Sequence, residues 1–374
     1  MMTRAPQAGI VYLALLTLLE SQPASTQDKW KGSIVKEGDV TIIKNPKEPI
    51  YKGPILELEE ELSIGGPEAQ GQEVFGRMGE FVVDDDGNFY ISAARGKDHI
   101  RVFDKAGRYL RTIGRHGQGP GEFDGIGPLS FVRATGELVV ANLRLSCLTI
   151  FNTKGTFLRN LRLEVHNYAV ARMDSKGQIY AFGGGFEIGK PYYETRLAAI
   201  NPEGRPSGVL VRAPGQVKDR IGIGFPNMSW AFDSQDNLVV GLSEDYELQI
   251  FKAGTHKLFM KIRKEFDPIP IRDEELRQFK KPEYSSMPFD FAKLHAAFWN
   301  LFTSDTGHLF AATWEKAEDG LFIHDVFDKE GRLVARMPFK SLGVEISGGK
   351  YYALEEDEDG YQYVRRYAVT WKVK

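Results

Sequence analysis

A two-turn unit recurs along most of this chain, and it limits the possible folds more than any single residue does. In the first copy, Glu80-Phe81-Val82-Val83 leads into the turn Asp85-Asp86-Gly87-Asn88 and out through Phe89-Tyr90-Ile91. Ile100 to Asp104 then leads into Lys105-Ala106-Gly107-Arg108 and out through Tyr109 to Ile113. Four short apolar runs, with a tight turn after the first and the third, predict one blade of a β-propeller. First turns recur at Gly136, Gly177, Asp236, Gly307 and Gly349, and second turns at Gly155, Gly204, Gly254 and Gly331. The two turns of a unit stand 18 to 27 residues apart. The sixth unit has no clear second turn, and its last strands are expected at Tyr361 to Tyr367 and Val369 to Trp371. An all-β sandwich also has many short strands, but it has no reason to repeat paired turns.

An open ring of blades would leave two bare sheet edges. The segment Ile55 to Ile64 precedes the first full unit, and its Leu56, Leu58, Leu62 and Ile64 fit the alternation of a half-buried strand. It is expected to be the outer strand of the last blade. The predicted fold is therefore all-β: a six-bladed β-propeller over residues 55–374, closed by an N-terminal strand.

Ile113-Gly114-Arg115-His116-Gly117-Gln118-Gly119-Pro120-Gly121-Glu122-Phe123 resembles the Gly-rich linker between NHL-repeat blades. The preceding Arg101-Val102-Phe103-Asp104-Lys105-Ala106-Gly107 matches the third strand and turn of that repeat. From about residue 50 onward the chain is similar to bacterial six-bladed propellers related to the NHL and TolB-like families. The resemblance implies the fold. It implies no single function, because such propellers serve as binding scaffolds and as enzymes.

With 48 basic and 51 acidic residues the net charge is −3, which argues against a nucleic-acid footprint or a polybasic membrane patch. Arg4, the apolar run Ile10 to Leu19 and the small residues Ala24-Ser25-Thr26 read as a secretory signal over residues 1–26. The apolar run is shorter than the ~20 residues that span a bilayer, so no stable membrane insertion is expected after cleavage. A single-pass anchor is the alternative. The expected destination is the periplasm or the medium. The one cysteine, Cys147, permits no internal disulfide and is expected to be a buried thiol.

Two segments interrupt the repeat. Residues 27–54 read as an N-terminal arm, with Val40 to Ile43 as a short strand outside the ring. Residues 263–299 read as a partly helical insertion between blades four and five. Pro268 and Pro270 break any strand, Arg272 to Lys281 has helix formers with acids first and bases last, and Pro282 ends it. The aromatic run Tyr284, Phe289, Phe291, Phe298 and Trp299 follows. It must either pack down as a cap or meet a partner.

Catalytic signatures are lacking. No GxSxG, Walker loop or HExxH occurs, and the seven histidines show no ligand spacing. Asp84-Asp85-Asp86-Gly87-Asn88 resembles half a calcium loop, but Ala93 stands where such a loop carries Glu, so turn chemistry explains it better. No catalytic residue, cofactor or metal is assigned.

In a propeller, the loops between blades share one face with the loops joining second and third strands. Arg115, His116, Glu122 and His166 come from inter-blade loops, and Arg95, Arg144 and Tyr246 from second-to-third-strand loops. With Trp299 of the insertion, these are the candidate binding residues. The expected function is an exported binding module at the cell envelope, recognising a protein or a small polar ligand. The alternative is a hydrolase or lyase with a metal in the central channel. A purely structural scaffold is the third class.

Overall fold

The computed structural model describes residues 29–75, 78–93, 98–164, 168–186, 192–217, 221–223, 228–339 and 343–373. Six sets of four antiparallel strands form the blades of a propeller, and in blade four the set belongs to a six-stranded sheet. Blade one runs Met78–Val83, Phe89–Ala93, Ile100–Phe103 and Tyr109–Ile113 from the axis outward. Blade six runs Gly343–Ser347, Lys350–Glu356 and Gln362–Trp371, and its outermost strand is Leu56–Gly65 from the N-terminal side. That pairing explains the missing second turn of the sixth unit: its third and fourth strands come from opposite ends of the chain. The two short final strands read from the sequence are one continuous strand, Gln362–Trp371.

Burial follows position in the blade. In blade two, the middle strands Glu137–Asn142 and Cys147–Asn152 are buried almost throughout, whereas the outer strand Phe157–Arg162 is largely exposed. Middle strands are covered on both faces by neighbouring blades. Tyr90, Val102 and Ile113 of blade one thus pack with Leu129, Leu138 and Phe151 of blade two. Each such large side chain contributes about 1.5–3 kcal/mol by leaving water.

The hairpin turns repeat one chemical device. Asp84 Oδ1 accepts the amides of Asp86 (3.0 Å) and Asn88 (2.8 Å). Asp104, Asn152, Asp174, Asp233, Asp328 and Asp357 each accept the amides two and four residues on in the same way. The side chain substitutes for a backbone turn. The acids at 84–86 are turn formers. In blade four, Asp236 takes the usual glycine position at φ 61°. Its carboxylate accepts the Ser175 amide (3.1 Å) and hydroxyl (2.8 Å) of blade three, which holds the residue there.

The N-terminal arm is a strap on the outside of the ring. Ser33–Glu37 and Val40–Asn45 form a hairpin, and the second strand runs parallel to Leu258–Lys264, the outer strand of blade four. The strand expected outside the ring therefore extends a blade. Buried Ile42 and Ile43 drive this docking. Buried Asn45 fastens it: its side chain donates to the carbonyls of Gly331 (2.9 Å) and Arg263 (3.3 Å). It also accepts from the Leu333 amide (2.8 Å) and the Trp30 indole (3.0 Å). Ile50 and Tyr51 then bond blade five before the chain enters blade six.

The insertion is less helical than its charge order suggested. Only Asp273–Leu276 is α-helical, followed by 3-10 turns at Arg277–Phe279 and Pro282–Tyr284. One turn of helix is too short to stand by its own hydrogen bonds. The aromatic run packs down instead. Phe279 meets Phe289 (5.7 Å) and Phe291 (6.4 Å), and strand Phe289–Phe291 pairs with Ile221–Ile223.

Candidate functional site

Phe123 organises the loop between blades one and two. It is fully buried, with its ring 5.6 Å from that of Phe151. Gly114 lies against that ring at φ 69°, and an added Cβ would stand 2.2 Å from it. The Phe123 amide donates to the Arg115 carbonyl and its carbonyl accepts the Gly117 amide, both at 2.9 Å. The loop therefore closes on itself. Glu122 turns inward, accepting the Gly119 amide at 2.9 Å and Arg115 Nε at 2.8 Å. Those two bonds hold its carboxyl below the usual range.

Beside this closed loop, His116 Nδ1 lies 2.7 Å from Oδ2 of buried Asp98. Asp124 accepts Arg144 Nη1 at 2.9 Å and Gln118 Nε2 at 3.1 Å, and both contacts lower its carboxyl. The donor atoms of Asp98, His116 and Asp124 lie within 4.8 Å of one another. Arg115 and Arg144 keep 81 % and 74 % of their side chains exposed while their carboxylates are sheltered. The arrangement presents two oriented cations and an imidazole to solvent. Such groups can hold an acceptor-rich surface or ligand.

Four of the eight candidate residues, Arg115, His116, Glu122 and Arg144, thus come together. Arg95 and His166 lie outside the described residues. Tyr246 requires a correction: it is not on the rim but fully buried between blades four and five, near Phe298 (5.1 Å). Its hydroxyl donates to Asp325, and burial with that neighbouring charge pushes the phenol well upward. Trp299 is half-buried, and its indole donates to the Thr313 carbonyl at 3.1 Å. Aromatic bulk gains more from the apolar seam beneath the insertion than from water.

Beneath the insertion, buried Lys264 sits 3.2 Å from Asp325, and Arg336 Nε lies 2.8 Å from the same carboxylate. Arg336 also pairs with Glu315 at 2.5 Å. The central channel holds a third set. Arg172 of blade three reaches Glu80 of blade one (2.9 Å) and lies over the Trp230 ring. Arg133 pairs with Asp85 and with Glu345 (3.1 Å), and enclosure by the ring pushes the Glu345 carboxyl up to about 7.

The 6-bladed beta-propeller family DUF5128 matches residues 76–360, most of the chain. The chain belongs to this family. Two solved structures share the fold. One is a Bacteroides fragilis NCTC 9343 protein described as a candidate exported protein. It is 13 % identical with a TM-score of 0.53, over 88 % of this chain and 99 % of that one. The other is a DUF4221 member from Bacteroides vulgatus ATCC 8482, 13 % identical with a TM-score of 0.51, over 84 % and 99 %. No functionally curated protein matches the chain. No helix among the described residues is long and apolar enough to cross a membrane.

In this DUF5128 propeller, Gln118 and Asp124 were missed as site residues although Gln118 lies within the Gly-rich linker and Asp124 directly follows it. Lys264, Asp325 and Arg336 were missed for a better reason. Lys264 falls at the start of the expected insertion, about sixty residues before Asp325 and Arg336, and nothing local pairs them.

Proposed function

We propose that the protein is an exported recognition module that binds a partner through its inter-blade loop face. The array of Arg115, His116 and Arg144, fixed by Glu122, Asp98 and Asp124, carries this reading. Its cations are exposed, their geometry is set by sheltered acids, and two rigid blades support them. Such an array suits a protein or polar ligand that offers carboxylates or carbonyls. The export reading rests on the signal-like residues 1–26, with the exported description of one fold relative as support. Kinship with NHL and TolB-like propellers rests on the Gly114–Phe123 linker.

The test compares Arg115→Glu with Arg144→Glu in binding to envelope extracts, with Lys105→Glu on the opposite face as control. The loop-face variants should lose the bound partner and the control should keep it. Loss with the control alone would place the contact on the wrong face.

A metal-dependent hydrolase or lyase is the second reading, favoured by the Asp98, His116 and Asp124 donors. An oxygen- and imidazole-rich set suits a divalent cation. It ranks second because Arg144 and Gln118 already occupy Asp124, and His116 is spent on Asp98. Stoichiometric metal in the purified protein, lost in His116→Ala, would reverse the order.

A further inference from the structure

The opposite face, built of hairpin turns, carries a different feature. A cavity of about 270 Å³ opens there between blades four and five. Its floor is apolar: Val239, Ile250, Phe259, Met260 and Ile262 of blade four, and Leu309 of blade five. Protein interiors leave few voids larger than a water molecule, and apolar ones stay dry and accept apolar guests. This volume lies just below the usual range for drug-sized ligands, so it suits a smaller molecule.

The rim sets the polarity of that molecule. Every acid there is already occupied. Asp233 accepts the Gln235 amide (2.8 Å), the Asn237 amide (2.9 Å) and the Asn237 side chain (2.8 Å). Asp328 accepts two turn amides and Arg332 Nε (2.7 Å), and Glu330 is paired with Arg332 (3.2 Å). Lys329, in the same turn, has no acidic partner among the described residues, and it lines the cavity. The Ser234 hydroxyl and Gln235 Nε2, also lining it, carry no hydrogen bond among the described residues, while Gln235 Oε1 accepts from Asn237 Nδ2 at 3.4 Å. Each unspent group can donate, and one of them is a cation.

We propose that this cleft binds a small carboxylate with a short aliphatic or aromatic tail. The tail lies on the Val239–Ile250–Leu309 floor, and the carboxylate meets Lys329 with Ser234 and Gln235 beside it. The site is independent of the loop-face reading.

Three probes with one tail and different heads test it on the full chain: hexanoate, hexan-1-ol and hexylamine, titrated by calorimetry and by NMR. Hexanoate should bind about tenfold more tightly than hexanol, the size of one charge-assisted hydrogen bond, and hexylamine should bind more weakly than either. Lys329→Ala should erase the preference for hexanoate and leave hexanol binding unchanged. Met260→Trp, which fills the floor, should abolish both. If that variant does not fold, Lys329→Ala still decides. Arg115→Glu should leave hexanoate binding intact, which separates this site from the loop face. No hexanoate binding, equal binding of the three probes, or an unchanged preference in Lys329→Ala would overturn the proposal.

Discussion

Two ion clusters sit between neighbouring blades, and they differ in almost everything except residue type. Between blades one and two, Arg115 and Arg144 reach into solvent from sheltered acids. Between blades four and five, Lys264 and Asp325 are closed off beneath the insertion, with 2 % and 0 % of their side chains exposed. Solvent decides what each is worth. An exposed pair gains little over its hydration, so its cation remains available to a partner. A buried pair has given up its hydration, so its members depend on one another.

The contrast is broken most directly at Asp325. Asp325→Ala leaves buried Lys264 without its counter-ion and half-buried Arg336 with Glu315 alone, and should cost about 3–5 kcal/mol in denaturant unfolding. A loss below about 1 kcal/mol would mean that the insertion opens readily and that the cluster is effectively solvated. Tyr246→Phe removes one donor from the same carboxylate and should cost about 2 kcal/mol, seen as a lower Tm. An unchanged Tm would return Tyr246 to the class of exposed contacts.

Glu345 lies between the two extremes, with 28 % of its side chain exposed to the channel. Enclosure raises its carboxyl from the usual value near 4.5 to about 7. The folded protein therefore holds this proton where the unfolded chain releases it. Its contribution favours folding at acid pH and is lost as pH rises from about 4.5 to 7. Glu345→Gln should stabilise the protein at pH 8 by about 1 kcal/mol, discounted for channel water, and flatten the slope over that window. A drop in Tm at pH 8 would show that the Arg133 pair outweighs the burial.

The smallest effects belong to the loop face. Arg115→Ala and Arg144→Ala should each change stability by less than about 0.5 kcal/mol by chemical denaturation. A larger loss would make their ion pairs part of the scaffold, like those beneath the insertion, and would weaken the case for a contact surface.

The repeat by itself determined the ring. Paired turns and strand-length apolar runs are local signals, and the unpaired strand at residues 55–64 stood out because a sheet edge needs a partner. Asx residues three positions before the turn glycines were also present in the sequence, as Asp84, Asp104 and Asp328 illustrate. Only the tertiary structure decided the rest. Val40–Ile43 extends blade four because its two isoleucines find an apolar edge more than two hundred residues away. Tyr246 reads as a loop residue, yet it is buried because Phe298 and Asp325 from distant segments converge on it. Lys329 and Lys264 look alike in sequence; one lines an open cleft and the other is buried against Asp325. Strand pairing and turns depend on neighbours in the chain, whereas burial depends on which blades meet, and that is settled only when the ring closes.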